Sequence, residues 1–93
     1  MLKTNLTELR KQIDLSDHEL IQILRKRVSL VELIGRAKQR SSEPPLDAAR
    51  WQHVLDTRTE WGEKLGLDPS FVQGIFNRIH DYSLQIEGDI CKK

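Results

Sequence analysis

Two cations stand where a helix should be apolar. Leu9, Ile13, Leu20, Leu24, Val31 and Ile34 recur at helical spacing through a stretch with no proline and no glycine before Gly35, which predicts one helix over roughly the first 40 residues. At about 100° per residue, Leu9, Leu20, Val31, Ile34 and Lys38 all fall within about 40° of Arg27. A cation on a buried stripe must be paired or must hold an anion, because burying it alone is too costly. Anion binding is therefore the chemistry this pattern offers, with Arg27 and Lys38 set about 16 Å apart along the helix axis.

The same conflict recurs further along the chain. Val72, Phe76, Ile79, Glu87 and Ile90 lie within about 40° of Ser83 on a helical wheel, so Ser83 and Glu87 form an i, i+4 polar pair on an apolar face. Arg50 shares a face with Val54, Thr57 and Trp61. Arg10 sits at the edge of the first stripe, pointing sideways across any helix pair. Inward cations (Arg27, Lys38, Arg50) outnumber inward acids. That imbalance favours a shared anion-binding cavity over internal salt bridges such as Glu87 with Arg27 or Lys38, which desolvation makes poor stabilisers. His18, His53 and His80 lack metal-ligand spacing with carboxylates or Cys91 and read as surface or boundary residues. Trp51 and Trp61 read as core. No nucleophile–base arrangement and no glycine-rich phosphate loop is present.

Composition removes other classes of function. Charged residues make up 31% of 93, yet the net charge is +1 with both signs interspersed, so no basic face for nucleic acid or acidic lipid is expected. No apolar run approaches the roughly 18 residues of a membrane span, and no secretory h-region follows Met1. The single Cys91 cannot form an intrachain disulfide, and a reducing, cytoplasmic setting is the expectation.

The elements that must position these residues are all helical. Thr4 or Asn5, with Glu8, caps the first helix, which should end near Arg40 before Ser41-Ser42-Glu43-Pro44-Pro45. Asp47 caps a second helix over about Ala48 to Leu65, closed by Gly66. Asp68 and Pro69 start a third, running to about Gly88. No segment has strand periodicity. The reading is a single all-α domain, residues 1–93, of three helices with a long first one. Such a helix cannot fold against itself, and two copies packing their long helices side by side would close a six-helix body.

Taken together, Leu9-Arg10-x-x-Ile13-Asp14, Leu24-x-x-Arg27, Ile34-Gly35-x-x-Lys38, Asp47-x-x-Arg50, Gly66-Leu67-Asp68-Pro69 and Ile79-x-x-x-Ser83 resemble the all-α chorismate mutases over nearly the whole chain. The resemblance implies an intertwined six-helix homodimer with two sites, each built mainly from one protomer and completed by Arg10 of the other. It implies that Arg27, Arg50 and Arg10 hold the carboxylates of a dianionic substrate and that Lys38 hydrogen-bonds the breaking ether oxygen. Asp47 would lie near the ring hydroxyl, Ser83 would contact a carboxylate, and Glu87 would face the ether oxygen. To donate there Glu87 must carry a proton, a form that burial favours. The implied reaction is a unimolecular Claisen rearrangement of chorismate to prephenate, driven by orientation and electrostatic stabilisation and needing no metal or cofactor.

One position departs from that pattern. Trp51 stands where the usual mutases carry a glutamate that contacts the ring hydroxyl, and an indole donates but does not accept. Either Trp51 turns into the core while Asp47 handles the hydroxyl, or the substrate differs. The same scaffold hosts isochorismate-pyruvate lyases and 4-amino-4-deoxychorismate mutases, and a non-catalytic dimerisation module is the reading from another class.

Overall fold

The structure, a computed structural model, describes residues 5–92. It contains α1 (Leu6–Ser41), α2 (Ala48–Lys64) and α3 (Pro69–Cys91), and no strand among the described residues. Asn5 caps α1, its Oδ1 accepting from the Glu8 amide at 2.8 Å; Thr4, the other candidate, lies outside the described residues. The helix ends as Ser42 turns left-handed (φ 59°). There the Ser42 amide donates to Gln39 O and the Glu43 amide to Lys38 O, the paired bonds of a Schellman stop. Gly66 (φ 78°) closes α2 by the same device, with Leu67 N–H on Gly62 O.

The chain divides into two compact units, Met1–Leu30 and Val31–Lys93. In the first, α1 carries exposed apolar side chains: Leu6, Leu9, Ile13, Leu20 and Ile21 among them. The second holds the end of α1 with the α2–α3 hairpin, and its buried hydrophobic side chains are Val31, Val54 and Val72, one from each helix. Asp47 and Asp68 set the start of the two hairpin helices by accepting from Arg50 and Phe71 amides at 3.0 Å each. Gly62 lets the hairpin close: a Cβ there would meet Val72 Cγ2 at 2.7 Å.

Two boundaries differ from the sequence reading. Helix α2 stops at Lys64, one residue early, with Leu65 as its cap. Helix α3 continues past Gly88 to Cys91 because its last turn has a partner. Ile90 packs against Gly35, and Gln39 Nε2 donates to Ile90 O at 2.9 Å. Trp61, read as core, is 55% exposed in this chain. Its ring lies under the Arg58 guanidinium instead, 4.7 Å from the centroid. Among the described residues no helix is long and apolar enough to cross a membrane.

Candidate functional site

The site grows from a close approach of two helices. Gly35 has no side chain, and a Cβ placed there would sit 3.4 Å from Glu87 Cα and 3.1 Å from Ile90 Cδ1. One turn later along α1, Lys38 reaches across this narrow contact, and its Nζ lies 2.8 Å from Glu87 Oε1. Lys38 Nζ also donates to Pro45 O at 2.5 Å, which ties the α1–α2 loop to the same point. An ammonium carries three donors, so one remains beyond these two contacts.

Glu87 is 7% exposed, and its Oε1 is shielded from solvent with no hydrogen-bond partner among the described residues. The contact with Lys38 has the distance of an ion pair without the angles of a hydrogen bond, so charge holds that oxygen. One turn earlier, Ser83 is equally buried, and its hydroxyl donates to Ile79 O at 2.8 Å. The internal pairing considered for Glu87 is therefore present with Lys38. The pair leaves a buried oxygen, a spare ammonium donor and a buried hydroxyl along one face of α3.

Helix α2 contributes its first turn. Asp47 is the N-cap, exposed, with Oδ1 engaged by the Arg50 amide. Arg50, expected to face inward, is exposed in this chain. In that first turn it is the next residue, Trp51, that packs on α3. Trp51 turns onto α3, where it stacks on His80 with centroids 3.8 Å apart and planes inclined by 14°. His80, read as a boundary residue, is half-buried through that contact. Arg10 is exposed and Arg27 half-buried, both in the first unit.

Sequence reasoning missed Arg58. It lies four residues from both Val54 and Gly62, on the stripe of α2 that faces α3, half-buried and hydrogen-bonded to Thr57 Oγ1 at 2.9 Å. Burial, and secondarily the nearby charge of Arg50, lower its pKa below the usual arginine value. The stripe test applied to Arg27 and Lys38 finds it, once carried through the second helix.

Comparison with known proteins bears on this geometry. Residues 9–88 match the family described as chorismate mutase type II. The T-protein of Enterobacter agglomerans is 34% identical over 84 residues, 90% of this chain, although the chain spans only 22% of that protein's length. The isochorismate pyruvate lyase of Pseudomonas aeruginosa is 36% identical over 77 residues, 82% of this chain and 74% of that protein. The 4-amino-4-deoxychorismate mutase of Streptomyces venezuelae is 28% identical over 85 residues, 91% of this chain and 82% of that protein.

Proposed function

The chain belongs to the chorismate mutase type II family, and we propose that it rearranges chorismate to prephenate as a homodimer. The observation that carries this reading is the Lys38–Glu87 pair, with its solvent-shielded oxygen and the buried Ser83 beside it. A buried ion pair is a poor stabiliser, but it suits a pocket that must place a cation and a hydrogen-bond donor on one ether oxygen.

In the Claisen step the ether C–O bond breaks as a C–C bond forms within one molecule, so no external nucleophile, metal or cofactor takes part. Lys38 directs its free donor at the ether oxygen, where charge develops; in the substrate complex Glu87 gives up its ion pair with Lys38, takes up a proton and donates to the same oxygen from α3. Arg27 and Arg50 bind the two carboxylates through their forked donors, with Ser83 adding a hydroxyl. Asp47 receives the ring hydroxyl on the carboxylate oxygen its cap leaves over. These contacts hold the compact conformer in which the reacting ends meet.

The second copy supplies what this chain lacks. Leu9, Ile13 and Leu20 are 43%, 59% and 54% exposed on one stripe, more apolar surface than a lone helix keeps in water. A partner covering that stripe brings its Arg10 to the substrate carboxylate.

A second reading has its own support. With Trp51 stacked on His80, no carboxylate from that position meets the ring, and the lyase of Pseudomonas aeruginosa is similar over most of both chains. Separate incubation with chorismate, isochorismate and 4-amino-4-deoxychorismate decides. Prephenate from chorismate supports the mutase; salicylate and pyruvate from isochorismate identify a lyase. Aminodeoxyprephenate identifies the amino mutase, and no turnover of any substrate leaves a non-catalytic dimerisation module.

A further inference from the structure

Asp47 and Arg50, both assigned to the site, stand on a thinly covered turn. From Leu46 to His53 every residue is exposed in this chain except Trp51, and full burial on α2 begins only at Val54. The first amides of a helix have no acceptor within it, and a helix end with few buried contacts opens locally at little cost. A guanidinium carried on such a turn would have to be ordered each time it bound an anion, which weakens binding.

Two attachments bracket the turn. Ahead of it, Lys38 Nζ donates to Pro45 O at 2.5 Å, two residues before Asp47. Behind it, directly after Arg50, Trp51 lies flat on His80 of α3, with centroids 3.8 Å apart and planes 14° from parallel. Between them the Asp47 carboxylate accepts from the Arg50 amide at 3.0 Å, and Asp47 O accepts from the Trp51 amide at 2.9 Å. One hydrogen-bonded turn of backbone thus links the stacked ring to both site residues. Among the described residues no ring nitrogen of Trp51 or His80 makes a hydrogen bond, so the ring faces make this contact. The Lys38 end of the bracket is itself in the site, whereas the His80 end lies outside the chemistry.

We propose that His80 is a positioning residue: it touches no substrate atom, and by stacking on Trp51 it holds the first turn of α2 so that Arg50 and Asp47 meet the substrate already in place. This rests on the proposed function, in which Arg50 binds a carboxylate and Asp47 the ring hydroxyl. It also gives the indole beside Arg50 a task. Trp51 belongs to the frame of the pocket and not to its lining.

His80→Ala removes the stack, and His80→Phe keeps a flat ring without its nitrogens. With the preferred substrate, His80→Ala should raise KM about 3- to 10-fold, the contribution of one aromatic pair. Its kcat should hold, because binding is lost equally from ground and transition states. His80→Phe should restore KM, and Trp51→Leu, which breaks the stack but keeps apolar bulk, should reproduce His80→Ala. In an Arg50→Ala background the effect of His80→Ala on kcat/KM should largely vanish, since the residue it acts through is gone. A fall in kcat at unchanged KM, or the same loss with and without Arg50, overturns the proposal and makes His80 a general packing residue. Amide hydrogen exchange on the substrate-free protein separates this from failure of the functional reading. Protection at the Arg50 and Trp51 amides should fall at least about threefold in His80→Ala and return in His80→Phe, with the middle of α3 unchanged. That pattern supports the clamp even if wild type turns over none of the three compounds. Unchanged protection in the first turn of α2, or a loss spread evenly over all three helices, overturns it.

Discussion

Lys38 Nζ lies 2.8 Å from Glu87 Oε1 across the contact between α1 and α3, and both side chains are largely shielded, at 16% and 9% exposure. Breaking such a pair from one side strands a charge. Lys38→Ala should therefore destabilise the fold by about 3 kcal/mol, and Lys38→Met/Glu87→Leu should regain most of it. Denaturant unfolding of Lys38→Met, Glu87→Leu and the double variant measures the coupling. Catalysis should not follow stability: the double variant should remain about 10²- to 10³-fold slower, the usual loss of one preorganised donor. Recovery of turnover with recovery of stability would remove Lys38 and Glu87 from the chemistry.

Glu87→Gln tests the protonation that the reaction asks of this carboxyl. If the neutral form donates to the ether oxygen, turnover by wild type falls as pH rises and the carboxyl ionises. The amide donates at every pH, so the variant's rate should stay level across the same range. Parallel profiles for the two proteins, measured as kcat/KM from acid to mildly alkaline pH, would show that Glu87 acts only as the counter-ion of Lys38.

Much of this was legible in the sequence because its signals are local. Asn5, Asp47, Asp68, Pro69 and Gly66 act within one turn of themselves, so type and spacing suffice to place them. Lys38 and Glu87 were flagged by the stripe each interrupts, but their pairing depends on how closely Gly35 lets α3 approach. Trp51–His80 needs the register of α2 against α3, which no single-helix wheel contains. The apolar stripe predicted for Leu9, Leu20 and Ile34 is correct as periodicity, while their exposure in one chain shows that periodicity marks a face to be covered without naming what covers it.

The α2–α3 hairpin should be intolerant of one added methyl. At Gly62 a Cβ would lie 2.7 Å from Val72 Cγ2, a short branched side chain with nowhere to swing. Helix propensity alone favours alanine there by about 1 kcal/mol, so Gly62→Ala isolates the clash. It should lower stability by about 1–3 kcal/mol, with a clear drop in Tm. Adding Val72→Ala should relieve the clash, leaving a double variant more stable than Gly62→Ala alone.

Asp68 gives the fold an acid-sensitive joint. The Ser70 hydroxyl, then the Phe71 amide, donate to its carboxylate and hold its pKa below the usual 3.8. A carboxyl with a depressed folded pKa stabilises above its unfolded value, and that contribution disappears as pH falls through the folded one. Asp68→Asn keeps an acceptor at the cap but does not titrate. The Tm advantage of wild type over Asp68→Asn should thus be full at neutral pH and shrink below about 3.8. A gap that stays constant into strong acid would show the cap to be indifferent to its charge.

The sharpest test of the two-chain site uses two dead proteins. If each site takes Arg27 from one chain and Arg10 from the other, Arg10→Ala and Arg27→Ala alone are both inactive. Each leaves every homodimer site without one arginine. Mixed and allowed to exchange subunits, half of the dimers are heterodimers, and in each of these one site is intact while the other lacks both arginines. By random pairing the mixture should regain about a quarter of wild-type activity. Recovery should appear only as fast as subunits exchange, which links kinetics to assembly. A mixture that stays inactive after exchange is complete would place Arg10 and Arg27 in the same chain's site or outside it.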